Sequence, residues 1–181
     1  LRARDEQGVG QKVELNLLSS TLSALVNQAS AYISAGVIPK AMGNAHPSIA
    51  PYQVFEAKDK KFIVAVGSDQ QFTKFAGCIK PELIADKLFA TNQLRVENLQ
   101  QLNAQLEPIF AQQSADHWIS ILAKVKIPAG AINNIKEAFD LAQSLGLNSI
   151  VEIDGVKSVA NPISFSKTPV EYRLSPPNLK G

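Results

Sequence analysis

Few side chains in this 181-residue sequence could move a proton or attack a substrate, and most of those are scattered. The exception is GNAHPSIAPY, Gly43 to Tyr52, which holds one of the two histidines and two prolines. An imidazole at His46 could donate a hydrogen bond to a substrate or act as a base near neutral pH. A solvated loop histidine is the plainer alternative. His117, beside Trp118 in the first turn of a predicted helix, reads as a surface or capping histidine. Asp59, Asp86, Asp116, Asp140 and Asp154 fall in turn or helix-surface contexts, so each reads as a cap or a solubilising charge. Cys78 lies between Gly77 and Ile79, the setting of a small buried hydrophobe rather than a reactive thiol. The sequence has no GxGxxG, P-loop, GxSxG, HExxH or cysteine pair, and GVGQK, Gly8 to Lys12, is too short to specify a nucleotide. No residue identifies a reaction unaided.

Composition narrows the setting. Apolar residues make up 45% of the chain, enough for one domain or for a smaller domain with pieces of a neighbour. Charged residues make up 19% and nearly cancel, to a formal +2, which argues against a nucleic-acid partner. One cysteine suits a reducing compartment, and a cytoplasmic protein is expected. No apolar window approaches the roughly 18 residues of a membrane span, and LRARDEQGVGQ has no apolar core of a secretory signal. The sequence opens on Leu1 and closes on the loop-like SPPNLKG, so a piece of a longer protein is expected.

The elements that would position GNAHPSIAPY follow from periodicity. Leu18, Leu22, Leu25, Ala29 and Tyr32 recur at three- and four-residue spacing, which predicts one helix over 13–33 with an apolar stripe that needs a partner surface. Gly36 and Pro39 end it. After the loop, 52–55 and 62–66 predict a hairpin around EAKDKK. Asp69 is the expected N-cap of a helix carrying Phe72, Phe75 and Ala76, and Pro81 opens a further helix or turn. Leu99, Leu102, Leu106 and Ile109 mark a helix interrupted or bent at Pro108. Ser114 should cap a helix with Trp118, Ile121, Leu122 and Val125 on one face. Residues 127–132 read as extended, and Asn134 with Glu137 as a capping box for a helix ending at Gly146. Asp154-Gly155 joins two short strands, 150–153 and 156–159, in a tight turn. From Asn161 onward, repeated prolines predict an extended strap.

The order of these segments resembles the class III CoA-transferase family, which includes formyl-CoA transferase and the carnitine CoA-transferases. The likeness runs through GVGQKVELNLL, GNAHPSIAPYQVFEAKDKKFIVAVGSDQQFTKF, TNQLRVENLQQL, DHWISIL, KIPAGAINNIKEA and NPISFSKTPVEYRLSPPNL, from about Gly8 to Leu179. It implies an α/β fold in which this chain, a C-terminal portion, contributes part of a Rossmann-like large domain plus a smaller α+β domain. Residues 1–50 would be a linker helix and part of the large domain, 51–128 the small domain, and 129–181 its remainder and a strap returning to the large domain. An interlocked homodimer is implied, with no membrane partner.

The resemblance also implies a reaction: coenzyme A moves from an acyl-CoA thioester to a carboxylic acid through an aspartyl intermediate, with no cofactor beyond the thioester substrate. The nucleophilic aspartate would lie upstream of this chain, so no catalytic residue is assigned here. Gly43, Asn44, Ala45 and His46 occupy the place of the glycine-rich loop that covers the reacting centre, and are the implied substrate-binding residues. This sequence keeps one glycine where the better-known loop has several. Two other readings stay open: an acyl-CoA racemase of the same superfamily, and a non-catalytic association module.

Overall fold

The computed structural model describes residues 2–177. The chain divides into two compact units, the first ending at Gly43 and the second beginning at Asn44.

The first unit is helical: α1 (Arg2–Gln7), α2 (Leu17–Ala24) and α3 (Asn27–Ala35). The single helix expected over 13–33 is therefore corrected in two ways. It starts late, because the Asn16 side chain accepts the Ser19 amide and caps α2 at Leu17. It also breaks in the middle, where Val26 adopts φ 35°, a backbone state a β-branched residue rarely takes. The predicted stop holds, with Gly36 in the left-handed conformation closing α3. None of these helices buries a residue, and the predicted stripe lies open, with Leu18 70% and Tyr32 58% exposed. α1 has no apolar periodicity to betray it and was not expected from the sequence.

The second unit carries the core. Strands β1 (Tyr52–Glu56), β2 (Lys61–Ala65) and β3 (Ala129–Ala131) form an antiparallel sheet in that order, so β1 is an edge strand. The β1–β2 register sets Phe55 opposite Phe62 and Gln53 opposite Val64, and all four point inward. Helices α4 (Asp69–Ile79), α6 (Leu99–Phe110) and α7 (Ala115–Lys124) cover that face, joined by two short 3-10 turns and the brief α5 (Asn92–Glu97). Phe110 is the hub: its ring lies 4.9 Å from Phe55, 5.1 Å from Phe62, 6.3 Å from Phe75 and 5.4 Å from Trp118. The Trp118 indole N–H donates to the Phe110 carbonyl at 2.9 Å, so the one polar atom of this large side chain is satisfied in the core.

Most predicted caps and turns are present. Ser114 caps α7, and Asn134 with Glu137 forms the capping box of α8 (Ile135–Ser144). Strands β4 (Ile150–Ile153) and β5 (Val156–Val159) flank Asp154 and Gly155, both at positive φ. Two expectations need correction. Ser68, not Asp69, caps α4, which frees the Asp69 carboxylate for an ion pair. α6 continues through Pro108 to Phe110 without interruption, the missing proline N–H removing a single ladder bond within its last turn. Residues 160–177 form neither helix nor strand, and the Asn161 amide donates to the Tyr172 hydroxyl at 2.7 Å. The last four residues of the expected strap lie outside the described residues.

The turn between β1 and β2 is tied to helix ends. Asp59 accepts the Ala115 amide at 2.8 Å and the Lys60 amide at 3.0 Å, and the Ala115 bond above all holds its carboxyl below the usual carboxylate range. Lys60 reaches Glu137 of the α8 capping box at 2.9 Å, which raises the lysine pKa and lowers that of the glutamate.

Two predictions follow from this packing. Trp118→Ala, which empties a core position and strands the Phe110 carbonyl, should cost about 3 to 5 kcal/mol in denaturant unfolding. Because the folded pKa of Asp59 is depressed, its stabilisation is complete above the ordinary value near ~4 and fades as pH falls through the folded value. The melting-temperature gap between wild type and Asp59→Asn should therefore be present at pH 7 and close in acid. A gap that persists to pH ~2 would exclude the carboxylate as its source.

Candidate functional site

Residues 44–46 lie along the open edge of β1. Residues 51, 53, 55 and 57 turn their backbone groups toward β2, so Tyr52, Val54 and Glu56 face the unpaired side. The Tyr52 carbonyl there accepts the His46 amide at 2.9 Å, and the Val54 amide donates to Asn44 Oδ1 at 2.7 Å. Two of the groups that an edge strand leaves open are thus taken by the loop itself. The imidazole of His46 stacks on the Tyr52 ring, with centroids 5.2 Å apart and planes 13° from parallel.

These contacts determine what each side chain has left to offer. The Val54 amide must meet an oxygen, so the Asn44 carboxamide is oriented and its NH2 group remains as a donor. The Ser48 amide donates to His46 Nδ1 at 3.1 Å, so a neutral ring carries its proton on Nε2. In that tautomer the Nε2–H is the donor left for a ligand. Asn44 is exposed and His46 half-buried, as suits groups that meet a ligand. Gly43 holds φ 66° with open space where a Cβ would sit, so backbone conformation alone calls for glycine. Ala45 is half-buried and adds no polar group. The NH2 group of Asn44 and the Nε2–H of His46 are donors this stretch can present to a ligand oxygen.

The far end of the loop is gripped by residues the sequence reading missed. Asn92 donates to the Ser48 carbonyl at 2.7 Å and accepts the Ala50 amide at 3.1 Å. Arg95, 0% exposed, donates from Nε to the Ala50 carbonyl at 2.7 Å, from Nη1 to the Phe89 carbonyl at 3.0 Å and from Nη2 to Asp69 Oδ1 at 2.8 Å. Its guanidinium also lies 4.3 Å over the Phe72 ring. A cis peptide joins Ala50 to Pro51. The Thr91 cap marks α5 in the sequence, but nothing there distinguishes a buried arginine from a solvated one.

The other residues weighed from sequence lie elsewhere. His117 is exposed, edge-on to Trp118. Cys78 packs against the core, and burial pushes its thiol pKa up. Asp59, Asp86, Asp140 and Asp154 serve the Ala115 amide, the Leu88 amide, Lys136 and a turn respectively. A groove of about 520 Å³ runs beside β1, lined by Asn44, Val54, Phe55, Glu56, Lys61, Glu107 and Ala111. Of Gly43, Asn44, Ala45 and His46, only Asn44 lines this groove. No helix among the described residues is long and apolar enough to cross a membrane, and none of their His, Cys, Asp and Glu side chains cluster as a metal site.

With this geometry in view, the wider comparison is decisive at the level of family. Residues 1–181 match the model of CoA-transferase family III, and the chain belongs to that family. It is 33% identical over 167 residues to an acetyl-CoA:oxalate CoA-transferase of Acetobacter aceti, covering 92% of this chain and 43% of that protein. A succinyl-CoA:glutarate CoA-transferase of Mus musculus is 35% identical over 185 residues, covering 99% of this chain and 42% of its own length. Among solved structures, a CAIB/BAIF family protein of Brucella suis superposes with a TM-score of 0.76 at 38% identity, over 93% of this chain and 45% of that one. The chain therefore spans less than half the length of the relatives it matches, and its mixed helix and sheet is part of the α/β fold of the family.

The clamp generates its own prediction. Arg95→Ala would empty a core position and leave the buried Ala50 and Phe89 carbonyls without their donor, so unfolding stability should fall by about 2 kcal/mol or more. Denaturant titration of the variant measures this, and a loss under ~0.5 kcal/mol would show that the buried charge is dispensable.

Proposed function

We propose that the protein to which this chain belongs transfers coenzyme A from an acyl-CoA thioester to a carboxylic acid, and that the acid is a dicarboxylate. The observation that carries this reading is the match of the whole chain to CoA-transferase family III. Oxalate and glutarate in the names of the two relatives above, and the mesaconate of a third, support the dicarboxylate class.

The chemistry is an exchange between two acyl groups of similar energy. An aspartate upstream of this chain attacks the donor thioester carbonyl, forming a mixed anhydride and expelling CoA thiolate. The thiolate then attacks the aspartyl carbonyl, releasing the donor acid and leaving an aspartyl-CoA thioester. The acceptor carboxylate repeats the two steps in reverse, and the aspartate is regenerated. Splitting the exchange this way replaces one difficult displacement by easier acyl transfers. No cofactor takes part. Asn44 and His46 bind and orient the acceptor through their N–H donors, while Gly43 and Ala45 let the backbone turn over the reacting centre and keep water from the thioester.

On this reading residues 1–50 belong to a linker and the large domain, 51–128 to the small domain, and 129–181 to its remainder and a returning strap. The enzyme works as an interlocked homodimer in the cytoplasm. The full-length protein should exchange CoA between succinyl-CoA or acetyl-CoA and dicarboxylates, detected by chromatography of the product thioesters. Turnover with monocarboxylates alone would remove the acceptor class, and no exchange with any acyl-CoA would remove the activity. His46→Ala should raise the acceptor KM about tenfold, the worth of one hydrogen bond to a charged group, with an unchanged melting temperature. Unaltered kinetics across the candidate acids would take His46 out of the site.

A further inference from the structure

We infer that Asn92 is a positioning residue for His46, acting through the main chain of Ser48. The inference rests on the reading that His46 meets the acceptor acid. Asn92 and Arg95 stand three residues apart on α5, a spacing that sets them on one face. Together they hold three backbone polar groups of the loop: the Ser48 carbonyl, the Ala50 amide and the Ala50 carbonyl. The division of labour follows from burial. Arg95 is fully buried and ties α5 to the Asp69 end of α4, so it fixes the platform. Asn92 is half-buried and spends both ends of its carboxamide on the loop.

What Asn92 orients is the residue whose amide meets the imidazole. Ser48 gives its carbonyl to Asn92 and its N–H to His46 Nδ1, with the Ser48 hydroxyl also 3.4 Å from that nitrogen. Tyr52 supplies the remaining restraint by stacking on the ring and accepting the His46 amide. A ring held at Nδ1 by a fixed amide and on its face by a fixed phenol has one direction left for Nε2–H. Removing the carboxamide of Asn92 releases the 48–49 peptide and with it the Ser48 backbone angles that aim the N–H of the neighbouring 47–48 peptide, so the imidazole loses the fixed partner at Nδ1. Misdirection of a binding donor falls on acceptor KM rather than on the bond-making steps.

The test is a double-mutant cycle in the full-length enzyme with Asn92→Ala and His46→Ala, measuring kcat and acceptor KM with a dicarboxylate and succinyl-CoA. Asn92→Ala should raise acceptor KM about tenfold while kcat changes less than about twofold, and the double variant should be no worse than His46→Ala alone. Losses that multiply would overturn the inference, since Asn92 would then act independently of His46. Unchanged kinetics in Asn92→Ala would overturn it as well. A His46→Ala enzyme with normal kinetics, beside an impaired Asn92→Ala, would instead defeat the reading of His46 on which the coupling rests. Asn92→Asp keeps an acceptor for the Ala50 amide and sets a carboxylate oxygen against the Ser48 carbonyl in place of the donor. It gives the same cycle if the alanine variant does not fold.

Discussion

A buried guanidinium organises the second unit. Arg95 has no access to water, so each of its donors needs a protein partner, and the fold supplies them from three separate places. Asp69 comes from the start of α4, the Phe89 carbonyl from the end of a 3-10 turn, and the Ala50 carbonyl from the loop that enters β1. Burying a charge this way is worth little as net stability, because desolvation offsets most of the attraction. Its value lies in specificity. The arrangement of α4, α5 and the loop gives each of the three guanidinium nitrogens a partner, and losing it would strand a charge in the core.

That requirement explains details that otherwise look unrelated. Ser68 rather than Asp69 caps α4, leaving the aspartate to face Arg95. α5 is a helix of only six residues, yet it is held in place because two of its side chains reach the same loop. The aromatic hub around Phe110 provides the hydrophobic stabilisation, while the arginine decides which backbone segments meet above it.

Where structure is local, the sequence carried it well. Asp154-Gly155 needed only positive φ, Asn134 and Glu137 only each other, and Ser114 only the amide three residues on. Patterns that depend on a partner were harder. The stripe from Leu18 to Tyr32 reads as one helix because periodicity does not register a backbone break at Val26. Arg95 was invisible because an arginine in the core and one in water share the same letter, and only the tertiary structure brings Asp69 and two carbonyls to it. The candidate loop was half legible: order along the chain drew attention to Asn44 and His46. Their orientation depends on Val54 and Ser48, and the grip on the loop comes from Asn92, 44 residues beyond Ser48.

The contacts between the loop and β1 carry a consequence for how freely that loop can move. Asn44 and His46 occupy hydrogen-bonding groups on the outer side of a strand that has no neighbour there. Swinging the loop away to admit a substrate would bare those groups, leaving a flat edge ready to recruit a strand from another molecule. A wide-open state would thus carry a hazard of self-association. Small excursions about its two ends would keep those groups covered, so the hydrogen bonds that shape the loop also guard the strand edge.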